Sequence, residues 1–483
     1  MRAPPEAGWP RPGAHLHVLG ICGYAVSGLA LCCHQLGYRV TGSDEDAYPP
    51  TTLLLEQAGI PFAGRHDPGN LERWGRPDLL ILGNQVQAGN PELVAAQALG
   101  VDLISEAAAY HRLTSRRARA VICGTHGKTS TSALCAWMLE GSGLEPGFRL
   151  GATSLNFALT ARLGDDRDGG PFVFEGDEYT TSALDQGAKF LHWWPQVVAV
   201  LNLELDHPDL YPDLDAYSQP YRQLLAELPK TGLLIYNAED SATTELARQH
   251  HGPAQGFGVG GDGWREAQPG TPPQGERRLL ALVGPQGERV ELALPLFGRH
   301  NLSNALAALA TATALGADPH QAAAAAASYQ GAARRFQVLG QVDGVTVVDD
   351  YAHHPTKLRA TIAAAREAFP PPHQLVMVHV PHTYSRTRAL LEDYRSAFSG
   401  LDLLVLGPIE PARERRLPDS VSSLDVLARA GVPEALAVDS AGQAIDAVRE
   451  RLQAPAVVVC SSVRGFDGVA GRLLERLRQG GAG

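Results

Sequence analysis

Short apolar runs recur along the chain, and between them lie longer stretches whose apolar residues repeat at helical spacing. The short runs, closed off by glycine, proline or acidic residues, predict buried strands; the longer stretches predict helices. From His15 the order is strand "HLHVLGI", helix "SGLALCCHQLG", strand "YRVTGSD", then strand "PDLLILGN" and helix "NPELVAAQALG". Strands and helices taking turns predict a parallel sheet with right-handed crossovers.

The pattern restarts twice. "ARAVICGTHGKTSTSALCAWMLEGSG" reads strand, glycine loop, helix, and two more strands follow in "GPFVFEGDE" and "PQVVAVLNLELDH". A Pro/Gly-rich stretch from Gly252 to Glu276 predicts a surface loop or hairpin excursion, and "GRHNLSNALAALATATALGADPHQAAAAAASYQ" predicts helix, glycine stop, helix. A third unit alternates again, with strands in "GVTVVDD", "HQLVMVHVP", "DLLVLGPI" and "APAVVVCSS". The expected fold is α/β, in three domains spanning residues 1–115, 116–330 and 331–483.

Composition narrows this picture. A length of 483 residues exceeds one core and suits about three domains. The net charge of −11 speaks against a broad nucleic-acid footprint, so phosphate binding must come from local sites. Cys22, Cys32, Cys33, Cys123, Cys135 and Cys460 form no C-x-x-C pair and are expected as buried free thiols. No apolar leader and no membrane-length apolar run stand in the sequence, so a cytoplasmic protein without membrane contact is expected.

Two strand–glycine–helix junctions carry candidate chemistry. At the first, a full G-x-G-x-x-G would need glycine where Cys22 and Ala25 stand; Gly20, Gly23 and Gly28 remain, followed by Asp44 at the end of the next strand. Such a loop can still offer amides to a diphosphate. At the second, "GTHGKT" runs from Gly124 to Thr129 between strand and helix, where a phosphate loop belongs. Lys128 is expected to reach the β- and γ-phosphates and Thr129 to bind Mg²⁺. The strict phosphate-loop pattern is broken by Ile122 in its first position. Acids collect past two further strands of this unit: Glu175, Asp177 and Glu178, then Asn202, Glu204, Asp206 and His207. Acids at strand ends beside a phosphate loop suit Mg²⁺, with His207 the odd nitrogen donor.

The motifs "GTHGKTST", "FEGDE", "LNLELDH", "GRHNLSNALAA", "RRFQ" and "DDYAHHPTK", in this order and over almost the whole chain, resemble the Mur ligases, ATP-dependent amide-forming enzymes of cell-wall synthesis. The resemblance implies a Rossmann-like UDP-binding domain, a P-loop ATPase-type central domain and a Rossmann-like C-terminal domain. It implies ATP contacts from Gly124, Thr125, His126, Gly127, Lys128, Thr129 and Ser130, and from His300, Asn301, Asn304, Arg335 and Asp350. It implies Mg²⁺ on Thr129, Glu175 and His207, and catalytic roles for Lys128, His207, Arg335 and His354. Gly20, Gly23, Ser27, Gly28, Asp44, Tyr351, His353 and Arg386 are then expected against the UDP-sugar or the amine. Asn301 also reads as a helix cap, and the His353–His354 pair as turn chemistry before Pro355.

The implied reaction is attack of a substrate carboxylate on the ATP γ-phosphate, then displacement of phosphate by an amine. Two branches of the family accept UDP-N-acetylmuramate: one adds L-alanine, the other the tripeptide L-alanyl-γ-D-glutamyl-meso-diaminopimelate or a peptide ending in another diamino acid. "TGSDEDAYPPTTLLLEQAGI", "LGATSLNFALTARLG" and "FEGDEYTTSALDQGAKFLHWWP" resemble the tripeptide branch. "VPHTYSRTRALLEDY" resembles the L-alanine branch, with Arg386 at the second of its two loop arginines and Thr383 at the first. The expectation is the tripeptide ligase, a monomer or weak homodimer; the alternative is the L-alanine ligase. An NAD-dependent oxidoreductase would leave "GTHGKT" without a task.

Overall fold

A computed structural model describes residues 9–47, 49, 51–206, 211–268, 278–411, 414–417 and 419–480. The N-terminal unit is one parallel sheet of β1 (His15–Leu19), β2 (Arg39–Ser43), β3 (Phe62–Ala63), β4 (Leu79–Leu82) and β5 (Asp102–Ser105), in the order β3-β2-β1-β4-β5. β1 is buried along its whole length because helices cover both faces, which is why it reads as an unbroken apolar run. The helix after it runs Tyr24–Gln35, starting earlier than the apolar spacing suggests.

The central sheet has seven strands in the order β14-β13-β12-β6-β9-β7-β8. They are β6 (Ala118–Cys123), β7 (Gly147–Ser154), β8 (Leu159–Arg162), β9 (Pro171–Gly176), β12 (Val197–Val200), β13 (Leu233–Asn237) and β14 (Ala254–Phe257), and the hairpin β10 (Thr180–Ser182) and β11 (Asp185–Ala188) stands beside them. Register aligns Cys123 with Gly176 on one side and with Val200 on the other. Three chain segments therefore leave the sheet at the same edge: the glycine loop, the acids from Glu175, and residues 201–206. The expected strand "PQVVAVLNLELDH" stops at Val200, so Asn202, Glu204 and Asp206 lie in the loop beyond it.

The stretch expected as loop from Gly252 carries β14, which extends this sheet, and β15 (Arg265–Glu266), which pairs with the hairpin β16 (Arg278–Val283) and β17 (Arg289–Leu294); its part from 269 to 276 lies outside the described residues. Helices Arg299–Ala314 and Pro319–Ala325 flank Gly316.

The C-terminal sheet runs β18-β19-β23-β20-β21-β22, formed by β18 (Gln337–Val342), β19 (Val345–Asp350), β20 (Gln374–His379), β21 (Leu403–Leu406), β22 (Glu434–Ala437) and β23 (Ala456–Ser461).

The three units join in two different ways. One apolar cluster contains Leu16, Val18 and Leu29 of the first unit together with Phe172, Phe174, Trp193 and Tyr221 of the second. Gly28 makes that contact close: a Cβ there would stand 2.7 Å from the Ala161 methyl and 2.8 Å from Thr160 Oγ1. The C-terminal unit keeps its own two apolar clusters and meets the central unit's strand-end edge through polar side chains. All six cysteines are buried and unpaired. No helix among the described residues is long and apolar enough to cross a membrane.

Candidate active site

The second glycine junction is built as a phosphate loop. β6 ends at Cys123 and the helix Lys128–Gly141 begins four residues on. Gly124 and Gly127 take φ of +125° and +85°, and a Cβ on Gly127 would collide with Asn304 Oδ1. Only glycine gives the loop this path without strain. Lys128 Nζ donates to the Gly124 carbonyl at 2.7 Å and to Glu178 at 2.8 Å. Burial opposes its charge, but Glu178 and Asp177 outweigh burial and hold the ammonium above the usual lysine range. The helix N-terminus and this fixed cation make a site for polyphosphate. Thr125 and Ser130 frame it, Thr125 Oγ1 donating to the Glu204 carbonyl at 2.9 Å and the Ser130 carbonyl accepting from Tyr329.

Beside the loop, Thr129 Oγ1 donates to Glu175 Oε1 at 2.8 Å, and the Gly151 N–H donates to Glu175 Oε2 at 2.7 Å. A hydroxyl and a buried carboxylate in contact are the hard oxygen donors that suit Mg²⁺. His207 lies outside the described residues. Behind this pair stands a charge relay that no local pattern announces. Arg149 donates to the Glu175 carbonyl at 3.2 Å and to Glu106 at 3.0 Å, and Lys189 lies 3.9 Å from both Glu106 and Asp177. Burial pushes Lys189 below the usual lysine range, against the pull of Glu106.

The C-terminal unit supplies the facing wall. Arg335 reaches across to Thr129 Oγ1 at 3.3 Å, with its guanidinium 4.5 Å from the centre of the Tyr351 ring. The residues flanking it, Arg334 and Phe336, take φ of +58° and +50°, which costs energy for side chains of this size. Asp350 holds that bend: its carboxylate accepts from the Phe336 N–H at 2.6 Å and the Ala352 N–H at 2.7 Å. Asp350 thereby positions the backbone that carries Arg335.

His354 caps the helix Pro355–Ala368 through the Thr356 N–H, which answers the turn reading, and His353 Nδ1 stays with the Tyr351 carbonyl at 2.9 Å. Arg386 pairs with Asp206 at 2.9 Å, both buried, while Thr383 caps its own helix at φ +61°. Lys357, which sequence reasoning did not single out, sits in the first turn after Pro355. Burial pulls it down to about 8, Asp206 resists, and Lys128, Arg335 and Arg386 repel its charge. Four cations converging on one space describe a seat for an anion. Lys357 closes the motif "DDYAHHPTK", which was the signal that could have pointed to it.

Other expected residues land elsewhere. Asn301 is not a helix cap, that position being Gly298; its side chain donates to the Phe297 carbonyl at 2.7 Å. Asn304 donates to Asn301 at 3.3 Å and lies buried against Gly127, under the phosphate loop, while His300 is exposed on the first turn. In the N-terminal loop, Asp44 Oδ2 accepts from the Cys22 N–H at 2.8 Å, and Gly23 leads into the helix. Ser27 is fully buried with its hydroxyl donating to the Tyr24 carbonyl, and Gly28 packs against Thr160 and Ala161 of the central unit.

Three family models match in chain order: the Mur ligase family catalytic domain over residues 15–118, the Mur ligase middle domain over 122–312, and the Mur ligase glutamate ligase domain over 334–464. The UDP-N-acetylmuramate–L-alanyl-γ-D-glutamyl-meso-2,6-diaminoheptandioate ligase of Escherichia coli is 36% identical over 380 residues, 78% of this chain and 81% of that protein. The UDP-N-acetylmuramate–L-alanine ligase of Roseiflexus castenholzii is 34% identical over 426 residues, 84% of this chain and 85% of that protein. A crystal structure of a murein peptide ligase from Psychrobacter arcticus superposes with a TM-score of 0.71 at 27% identity, covering 96% of this chain and 99% of the other.

Proposed function

The chain belongs to the Mur ligase family of ATP-dependent ligases, and from that premise we propose that it joins UDP-N-acetylmuramate to the peptide L-alanyl-γ-D-glutamyl-meso-diaminopimelate. One observation carries the choice of amine. In the loop after β20, Arg386 is held by Asp206 and Thr383 caps its own helix. Among the described residues, the two arginines of that loop turn to different acids, Arg386 to Asp206 and Arg388 to Asp419, so they offer no joint bidentate grip on the carboxylate of a single amino acid. A peptide, held at several points along its length, does not need that grip.

The proposed reaction has two steps. The substrate carboxylate attacks the γ-phosphorus, the bond to the β-phosphate oxygen breaks, and its electron pair leaves with ADP. The peptide amine then attacks the acyl phosphate carbon, and the C–O bond to phosphate breaks as the amine's surplus proton passes to water. Lys128, Arg335 and Lys357 face the charge that develops on the transferred phosphoryl group. Thr129 and Glu175 would hold Mg²⁺, which when bound neutralises phosphate charge. Docking of the C-terminal unit keeps water from the acyl phosphate. His354, capping the helix that carries Lys357, is a positioning residue.

Phosphate release from ATP in the presence of UDP-N-acetylmuramate, with the tripeptide against L-alanine, tests the reading. Release with the tripeptide alone is expected. Release with L-alanine alone would establish the second reading, which the match to L-alanine ligases over a larger share of the chain supports.

A further inference from the structure

The contact between the phosphate loop and the C-terminal unit gathers a second group of donors, apart from Thr129 and Glu175. One ring nitrogen each from His126 and His354 and one carboxylate oxygen from Glu204 all lie within 4.8 Å of one another. The two rings lie with centroids 5.3 Å apart, tilted by 47°, and His126 Nε2 is already 2.8 Å from Glu204. Among the described residues, each ring also keeps a buried nitrogen with no hydrogen-bond partner, His126 Nδ1 and His354 Nε2. His354 itself is 2% exposed. An imidazole nitrogen buried without a partner is unfavourable, and coordination is one way to satisfy it.

The donor set differs in kind from the oxygen pair that suits magnesium. Two imidazoles and a carboxylate select a borderline ion of the zinc class, with the fourth position left to water. The ligands also come from different units. His126 lies in the phosphate loop and Glu204 beyond β12, whereas His354 caps a helix of the C-terminal unit. Glu204 bridges the same gap through Thr356 at 2.9 Å. The set is therefore complete only when the two units are docked.

We propose that His126, Glu204 and His354 form a binding site for a zinc-class divalent ion, separate from the magnesium pair, that clamps the C-terminal unit onto the phosphate loop. Binding competes with the His126–Glu204 hydrogen bond, while Nε2 of His354, the nitrogen left open, takes the ion without disturbing the Nδ1 contact with the Thr356 N–H. An occupied clamp resists the opening that product release requires, so such an ion slows turnover while magnesium supports it.

Co²⁺ added to the full chain in excess Mg²⁺, read by its visible absorption and displaced by Zn²⁺, tests this. The wild type should take up one ion with the intense bands of tetrahedral Co²⁺. His126→Gln and His354→Gln should each weaken it by more than the roughly 10–100-fold that an outer-shell loss costs. Glu175→Gln should leave the spectrum and affinity in place. Unchanged affinity in His354→Gln, loss of the site in Glu175→Gln, or a weak octahedral spectrum displaced by Mg²⁺ would each overturn the proposal. Where a histidine variant fails to fold by circular dichroism, Glu204→Gln, which keeps an acceptor for Thr356, gives the same reading. None of these outcomes depends on which amine the enzyme accepts.

Discussion

The chain builds the same junction twice, strand to glycine loop to helix, and the two copies serve different ends. At Gly20–Gly23 the backbone is relaxed where it enters the helix: Gly23 has φ −63°, and a Cβ there would lie 3.5 Å from the nearest atom. One loop amide is already taken by Asp44. At Gly124–Gly127 both outer glycines are left-handed and hemmed in, a lysine opens the helix, and hydroxyl, carboxylate and a guanidinium from another unit converge on it. The first loop has one carboxylate on it, while the second is ringed by charged and polar side chains from three strand ends and another unit. Glycine spacing alone does not separate the two. The tertiary neighbours do.

The largest effect that could break this comparison is Lys128→Ala. It should lower kcat by roughly 10²–10³-fold or more while the far-ultraviolet spectrum stays that of the wild type; a variant that still turned over would remove Lys128 from the phosphate site. Next comes Glu175→Ala, which should raise the Mg²⁺ requirement sharply. An unchanged magnesium titration would take Glu175 out of the metal pair. Gly127→Ala and Gly23→Ala form a matched pair. The first imposes about 1–3 kcal/mol of backbone strain plus a collision with Asn304 and should raise the KM for ATP. The second should leave both KM values nearly unchanged, and equal effects would erase the distinction between the loops.

Lys357→Met sharpens the picture through pH. The Lys357 ammonium is held down to about 8 in the folded chain, against a usual value of 10.5. Below about 8 it is charged in both states, and its burial among cations weakens the fold by a constant amount. Between about 8 and 10.5 the unfolded chain binds the extra proton, so this group makes stability rise with pH across that window. Lys357→Met should therefore raise Tm below pH 8, lower kcat, and flatten the alkaline limb of kcat/KM near 8. An alkaline limb that persists in the variant would assign it to another group. The smallest effect expected is Asp44→Asn: a weakened hold on the Cys22 amide should raise the KM for the UDP-sugar and leave that for ATP alone.

The two interfaces repeat the lesson on a larger scale. The first unit shares an apolar core with the second. The third meets them through Arg335–Thr129, Thr356–Glu204 and Arg386–Asp206, polar contacts that water can replace. Left-handed backbone at Arg334 and Phe336 marks the connection into that interface.

Much of this was legible in the sequence by itself. Alternating apolar runs and helical spacing determined three α/β units, whose main sheets are parallel apart from the antiparallel edge pairs β7–β8 and β18–β19, because burial on both faces of a strand and on one face of a helix leaves those two periods in the chain. Gly124–Thr129 could be read as a phosphate loop because its chemistry is local: the amides, the lysine and the helix start lie within a few residues of each other. Only the tertiary structure decided the rest. Thr129 meets Glu175 across 46 positions and Arg335 across 206. The Glu106–Arg149 pair behind the metal ligands, the bend held by Asp350, the cation at Lys357 and the His126–Glu204–His354 group belong to the same class. Each depends on which strand ends share an edge and how the third unit docks, and neither leaves a period or a spacing along the chain.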